Sequence, residues 1–397
     1  FSLTNMGKDD SNDTKSDSEN EKEVDDHSEA DKYFIPKSEC VQLRHGHQSI
    51  TSTSIEPTGN RLLTGSKDCS MSLWDFNGMN SSAASFKTVN PCQQEIKATE
   101  WSANGEHALF VSNDIQAFIV DREGDPYLFD PRSTKGHNKM LNGGCWSPRC
   151  PEELLTCSGD GYYEKILSER RIKSHKTCIV PQSTRGQKSI PTACRYSSSG
   201  QFVLAGCEDG SVHVWDTRKS FTKSDLQCSD AHPVGSVVTS IRPSFDDIHV
   251  LTRATDDTMK LFDIRAGLKA PLHAFADLCV TGERTNCVFS PNDRLVATGT
   301  SLRKNAAESF VVFYSRDTFE EVDRLAVPGA SAVTLEWHPR LNQVLVGSSV
   351  GTLDLYYDRR FSRNGALSFV GKRAKSKKSA IEFDTEGILL TYDEESE

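Results

Sequence analysis

One phrase recurs along this chain: an apolar strand, a turn, a second apolar strand ending in Gly-Ser or Gly-Cys, an acidic turn, and a third strand closing on Trp-Asp or a near variant. Leu62-Leu63-Thr64-Gly65-Ser66-Lys67-Asp68 leads to Leu73-Trp74-Asp75, and Val203-Leu204-Ala205-Gly206-Cys207-Glu208-Asp209 leads to Val214-Trp215-Asp216. Trp74 and Trp215 stand 141 positions apart, three intervals of 47. A unit of this length is one small sheet that buries its faces only against copies of itself, so the copies must stack. Closing the stack into a ring leaves only short, protected edges. The 397 residues, enough for two or three ordinary domains, are therefore expected to form one large ring from Gly46 to Asp358, with tails.

Alternation and turn residues mark seven strand triplets: 50–76, 96–120, 140–167, 191–216, 237–263, 285–314 and 332–357. The third lacks its Trp-Asp, and the sixth carries a polar insertion at 301–308. Phe86–Val89, Pro126–Phe129 and Pro271–Phe275 are candidate fourth strands. Cys40–Leu43 is the natural strand to close the ring from the N-terminal side, and Leu367–Val370 competes for that place. The period lies near the ~40–45 residues of WD repeats. The fold class expected is all-β, a seven-bladed WD-repeat β-propeller over 36–371, with a disordered acidic N-terminal arm (1–35) and a basic, then acidic, disordered C-terminal tail (372–397).

Charge is placed unevenly. The net charge is −10, and residues 8–29 hold ten acidic and three basic side chains with almost nothing apolar, too little burial to offset the entropy of ordering. The tail run Lys372, Arg373, Lys375, Lys377 and Lys378 reads as a nuclear localisation signal or a nucleic-acid contact, with no aromatic interleaved to stack on a base. No window resembles a membrane span or a secretory signal. The chain opens on Phe1 rather than Met, so it is expected to be a fragment. Twelve cysteines without a C-x-x-C pair suit buried reduced thiols of a cytosolic or nuclear protein rather than a disulfide or zinc framework.

Within the first repeat His47, Thr64, Ser66, Asp68 and Trp74 stand in the order of a buried hydrogen-bonded tetrad, in which imidazole, turn carboxylate, strand hydroxyl and indole N–H satisfy one another and rigidify a blade. Gly136-His137 and Ala231-His232 mark the same start in later repeats. A metal site at His45 and His47 lacks a carboxylate or cysteine at ligand spacing, and no metal or cofactor is expected. Gly347-Ser348-Ser349-Val350-Gly351 matches the G-x-S-x-G nucleophile elbow, but that motif requires a following helix. Here a strand follows, so Ser349 is read as a hairpin residue, no catalytic group is assigned, and a propeller hydrolase is the weakest of the function classes.

Just past the Trp-Asp pair, Trp215-Asp216-Thr217-Arg218 and Phe262-Asp263-Ile264-Arg265 repeat aromatic, Asp, any residue, Arg in consecutive units, and Tyr357-Asp358-Arg359-Arg360 repeats it in the seventh. The pattern resembles the WDxR box by which WD-repeat substrate receptors dock on the damage-specific DNA-binding adaptor of cullin-4 ubiquitin ligases. An Arg held at a strand end presents a planar fork to a carboxylate or carbonyl. The competing structural role for such an Arg is to pair with the Asp of the next blade.

Several stretches resemble the gastrulation-defective family of WD-repeat proteins: Asp125-Pro126-Tyr127 through Gly136-His137, Ile190-Pro191-Thr192-Ala193-Cys194-Arg195-Tyr196-Ser197, Phe289-Ser290-Pro291-Asn292-Asp293-Arg294-Leu295 with Thr298-Gly299-Thr300-Ser301, and Trp337-His338-Pro339-Arg340-Leu341-Asn342-Gln343. The resemblance covers roughly residues 36–378. It implies a nuclear, non-enzymatic adaptor or substrate receptor linked to development, cullin-4 ligase complexes, chromatin ubiquitination and the DNA-damage response, acting as a monomeric ring inside a larger assembly. The expected partners are the ligase adaptor and nuclear or chromatin proteins, with nucleic acid reached indirectly or through the tail. A scaffold of an RNA-processing assembly is the alternative.

Overall fold

The computed structural model describes residues 32–80, 82–126, 137–161, 163–167, 177–182, 186–281, 284–370, 372, 381–383 and 389–391. A leading strand β1 (Glu39–Arg44) precedes β2 (Ile50–Ile55), β3 (Arg61–Ser66), β4 (Met71–Asp75) and β5 (Lys87–Val89). Next come β6 (Ile96–Trp101), β7 (His107–Ser112) and β8 (Ala117–Asp121), then β9 (Leu141–Trp146), β10 (Glu153–Ser158), β11 (Tyr163–Leu167) and β12 (Thr177–Ile179). The fourth and fifth units are β13 (Pro191–Tyr196), β14 (Phe202–Cys207), β15 (Val212–Asp216) and β16 (Leu226–Cys228), and β17 (Val238–Pro243), β18 (His249–Ala254), β19 (Met259–Asp263) and β20 (His273–Phe275). The remainder is β21 (Cys287–Phe289), β22 (Leu295–Gly299), β23 (Glu308–Ser315), β24 (Glu321–Pro328), β25 (Ala332–His338), β26 (Gln343–Ser348) and β27 (Thr352–Tyr357), followed by the tail strands β28 (Ile381–Phe383) and β29 (Leu389–Thr391).

Each unit is an antiparallel meander, and the first strands pack side by side in the order β2, β6, β9, β13, β17, β21, β25 and back to β2 around a central channel. Among the described residues six sheets are four-stranded blades and β6-β7-β8 is three-stranded, which corrects the expected seven four-stranded blades. After β8 the candidate outer strand makes a single bridge, Val120 to Pro126. Proline has no N–H to extend a ladder, and residues 127–129 lie outside the described residues. The acidic stretch 8–29 lies outside them as well. So does the basic run except Lys372, which is exposed and donates from Nζ to the Asn77 carbonyl at 2.9 Å. The tail expected to be disordered contains the antiparallel pair β28-β29. Helix is confined to the start of the described chain at Lys32–Tyr33 and to a 3-10 turn, Gly365–Ser368.

The ring closes by the N-terminal strand. β1 pairs with β27 from Glu39↔Tyr357 to Arg44↔Thr352 and becomes the outer strand of the last blade. Leu367 to Val370, the competing segment, instead follows the 3-10 turn and packs Phe369 against Phe76 with ring centroids 5.9 Å apart. The core is accordingly an apolar slab between each pair of neighbouring sheets; Trp74, Trp101, Trp146, Trp215 and Trp337 each lie in a different slab.

A side-chain hoop stitches these sheets together around the channel. The registers shift by one residue near the start of β2, β6, β9, β13, β17 and β25, and a bulge re-aims the extra side chain. The Thr51 hydroxyl donates to the Ile96 carbonyl, Lys97 Nζ to Leu141 O at 3.0 Å, and Asn142 Nδ2 to Pro191 O at 2.8 Å. Thr192 then donates to Val238 O at 2.6 Å and Thr239 to Thr285 O at 2.9 Å. Asn286 exchanges two bonds with Leu335, and Glu336 Oε1 accepts from Ile55 N at 2.9 Å to complete the circuit. At the end carrying the first turns, Asp247 accepts from Ser198 N and Ser199 N, and Asp293 from Phe245 N and Asp246 N.

The place just before the acidic turn is glycine in four units, Gly65, Gly206, Gly299 and Gly347, because a Cβ there would run into the next inner strand. Arg253 occupies the same place in the fifth. Its neighbour β21 is short, and its fully buried guanidinium donates to Thr258 O at 2.8 Å and Leu278 O at 2.6 Å.

Thr192→Val combined with Thr239→Val keeps shape while removing both hydroxyl donors, each shared between a carbonyl of its own sheet and one of the next. Thermal or urea unfolding should show a loss of about 1–3 kcal/mol per site, the cost of leaving buried carbonyls short of a partner; an unchanged midpoint would show that the hoop carries no stability.

Candidate functional site

In an up-and-down meander the turns alternate between the two ends of the ring. One end carries the acidic second turns and the links between blades. There the tetrads assemble, with one reassignment. His47 is exposed and its Nδ1 meets Arg44 at 3.1 Å, whereas His45 is the buried member. His45 Nδ1 lies 2.7 Å from Thr64 Oγ1 and its Nε2 2.7 Å from Ser70 Oγ, and the Ser70 hydroxyl donates to Asp68. Trp74 Nε1 donates to Thr64 Oγ1 at 3.0 Å. Ser66 supports the turn by accepting from Asp68 N at 3.3 Å. The correction has a simple cause: β1 belongs to the last blade, and His45 N donates to Gly351 O at 3.0 Å, so the chain crosses into the first blade at His45.

His137 and His232 take the expected place. His137 bridges Asp160 at 3.1 Å and Thr156 at 3.0 Å; His232 bridges Asp256 at 3.0 Å and Thr252 at 2.9 Å. The fourth blade builds a variant that sequence order did not suggest. Ser189 and Ser211 both donate to Asp209 at 2.5 Å, and the imidazole comes from the third strand as His213, stacked on Trp215. Burial pushes His213 down to about 4.

The opposite end carries the Asp-x-Arg turns. Trp215 and Phe262 are core residues, 1% and 0% exposed, so neither aromatic is available to a partner. Arg218 is 65% exposed and forks onto Asp216 of its own turn, Nε to Oδ1 at 2.9 Å and NH2 to Oδ2 at 2.7 Å. That contact holds the Asp216 carboxyl well below the usual carboxylate range. Arg265 is 68% exposed with Nε 3.6 Å from Asp263. Arg360 repeats the fork on Asp358 at 3.1 and 2.9 Å. Each Arg pairs within its own turn rather than with the next blade, and the outward surface of each box reduces to an Asp-held guanidinium.

Ser349 lies in the β26–β27 hairpin, with Ser331 N donating to its Oγ at 3.0 Å and no helix behind it. The strand-to-helix turn that a nucleophile elbow requires is therefore not formed at Ser349. Among the described residues no cluster of three or more His, Cys, Asp or Glu could hold a metal ion, the cysteines are free thiols, and no helix is long and apolar enough to cross a membrane.

At the last seam His338 accepts at Nδ1 from Arg340 N and Leu341 N, both at 3.2 Å, and meets Glu56 O at 3.1 Å through Nε2. That arrangement requires a neutral ring, and burial lowers its pKa to about 4. The folded value lies below the unfolded ~6.5, so the unfolded chain binds the extra proton; stability is full above ~6.5 and falls as pH drops toward 4. His338 should cost about 2 kcal/mol by pH 5. Midpoints of unfolding measured from pH 7.5 to 5 should fall, and His338→Gln should make that fall shallower, leaving the part contributed by the likewise depressed His213. In the first blade His45→Ala should cost about 1–3 kcal/mol and Trp74→Ala about 3–5 kcal/mol, while His47→Ala stays within about 0.5 kcal/mol.

A sequence profile described as WD domain, G-beta repeat, matches residues 38–75 and 179–216. The crystal structure of the Myceliophteria thermophila Cps50 (Swd1) β-propeller domain superposes with a TM-score of 0.64 at 18% identity, covering 81% of this chain and 100% of that one, which supports the fold alone. Xenopus tropicalis WD repeat-containing protein 70 is 37% identical over 90% of this chain and 58% of its own length. The Drosophila melanogaster Gastrulation defective protein 1 homolog is 38% identical over 86% and 54%, and Homo sapiens WD repeat-containing protein 70 is 35% identical over 90% and 56%. This chain thus spans a little over half the length of these relatives. Over that shared region, with its repeats, its ring and its identities in agreement, the chain belongs to the gastrulation-defective family of WD-repeat proteins.

Proposed function

We propose that this ring is a nuclear protein-interaction scaffold that docks on the adaptor of a cullin-4 ubiquitin ligase and presents chromatin-associated clients in the DNA-damage response. The observation that supports it is the pair of Asp-held guanidiniums, Arg218 and Arg265, exposed on the same end of neighbouring blades. A carboxylate two residues back holds the Arg218 fork by two hydrogen bonds and stands 3.6 Å from Arg265 Nε, so side-chain entropy lost on binding is reduced, most at Arg218. The nuclear location and the client class rest on the family resemblance and on the basic run from Lys372. Any chemistry would belong to the ligase, with this chain supplying a rigid platform.

Arg218→Ala with Arg265→Ala should abolish co-precipitation of the cullin-4 adaptor from nuclear extract at an unchanged melting temperature, since exposed charge pairs contribute little to stability. Lys at both positions keeps the charge and removes the fork; docking through the fork predicts the same loss. Full adaptor binding by either variant would overturn the reading. Recovery of splicing proteins and RNA in place of the ligase would favour an RNA-processing scaffold.

A further inference from the structure

The channel wall carries charges that neither the tetrads nor the rim turns use. Glu100, Arg195, Arg242 and Glu336 occupy one register on four inner strands, opposite Leu109, Leu204, Leu251 and Leu345. Lys97, Arg195, Arg242 and Arg284 line a cavity of about 130 Å³ among these strands, and neither Glu100 nor Glu336 is among its lining residues. Four cations face two carboxylates. Arg195 is satisfied by Glu100 at 2.6 Å, and Lys97 by Leu141 O and by Asn142 Oδ1 at 3.2 Å. Arg242 is different: among the described residues no hydrogen bond or ion pair reaches its guanidinium. A half-buried guanidinium without a partner is costly, and here Arg195 adds to the positive field on it.

Glu336 does not balance it: its Oε1 accepts from Ile55 N, its Oε2 is buried without a partner, and it forms no ion pair with Arg242 within 4 Å. A ligand in the cavity meets four cations and no carboxylate among the lining residues, so it must be an anion that offers acceptors to a planar fork. Arg forks match phosphate oxygens bidentately, and the cavity, about four waters in volume, suits a single phosphoryl group rather than a nucleotide.

We propose that the central channel binds a phosphoryl group, held by the Arg242 fork beside Arg195, with Lys97 and Arg284 adding to the positive lining of the cavity. The site stands apart from the rim residues and does not rest on the docking reading. Calorimetric titration of the full chain with inorganic phosphate at pH 7.5 and constant ionic strength should show saturable one-to-one binding. Arg242→Gln should weaken it at least tenfold, and Arg242→Lys by an intermediate factor. Both variants should stay folded by circular dichroism, since each substitutes an unpaired group; if Gln disturbs the ring, the Lys variant carries the same test. A phosphoserine tetrapeptide run in parallel separates the sources: phosphate alone means a free ligand, and peptide alone means a phosphoryl group carried by a partner. Absence of saturable binding by either probe, or equal affinity in wild type and Arg242→Gln, would overturn the proposal.

Discussion

Every part of this molecule depends on the contact between one inner strand and the next. A small four-stranded sheet cannot bury both faces alone, and only when neighbours press on each side does the apolar slab between them become a core. The hoop from Thr51 through Lys97, Asn142, Thr192, Thr239 and Asn286 to Glu336 makes those seams specific. A slab of Leu, Val and Trp tolerates sliding, whereas a hydroxyl bonded to one carbonyl of the next blade does not. The bulge near the start of these inner strands turns the extra side chain toward its neighbour while leaving the ladder outside it intact.

The same arrangement sorts chemistry between the two ends of the ring. At one end acidic turns are consumed internally: Asp68, Asp160, Asp209 and Asp256 all serve buried histidine or hydroxyl networks. Those networks are satisfied, and satisfied buried networks rigidify. At the other end Asp216, Asp263 and Asp358 each hold an arginine of their own turn, with its head in solvent. The channel between carries charges only partly balanced. One end is therefore built for stiffness and the other for presentation, which suits a platform whose partners approach along the axis of the ring.

Much of this was legible along the chain, because a repeat makes the same local argument several times over. Repeat length, strand triplets, the closing strand near Cys40–Leu43, the histidines at 137 and 232 and the Asp-x-Arg turns all follow from residue type and spacing. The first histidine was misplaced by two positions because two imidazoles flank Gly46, and only the pairing of β1 with β27 decides which one enters the first blade. The fourth blade's network escaped notice because its imidazole comes from the third strand, where Ser211, His213 and Trp215 share one face by alternation, and only the fold brings Ser189 to Asp209. The polar residues at 51, 97, 142, 192, 239 and 286, spaced by 45 to 50 positions, were the available signal for the hoop.

The sequence by itself determined the all-β class, the repeat and the ring, since period and alternation are properties of neighbours along the chain. Tertiary structure alone decided how many sheets carry four strands, which imidazole each tetrad takes, and where the charges of the channel meet. Pro126 bridges Val120 only because the chain around it turns back on β8, and β24 gives the sixth blade an outer strand of eight residues that no turn signal marked. Glu100, Arg195, Arg242 and Glu336 come from four separate repeats, with nothing in the chain to announce that they share one level of a channel. Their meeting depends on register, and register is set by bulges and closure across the whole ring rather than by any local run of residues.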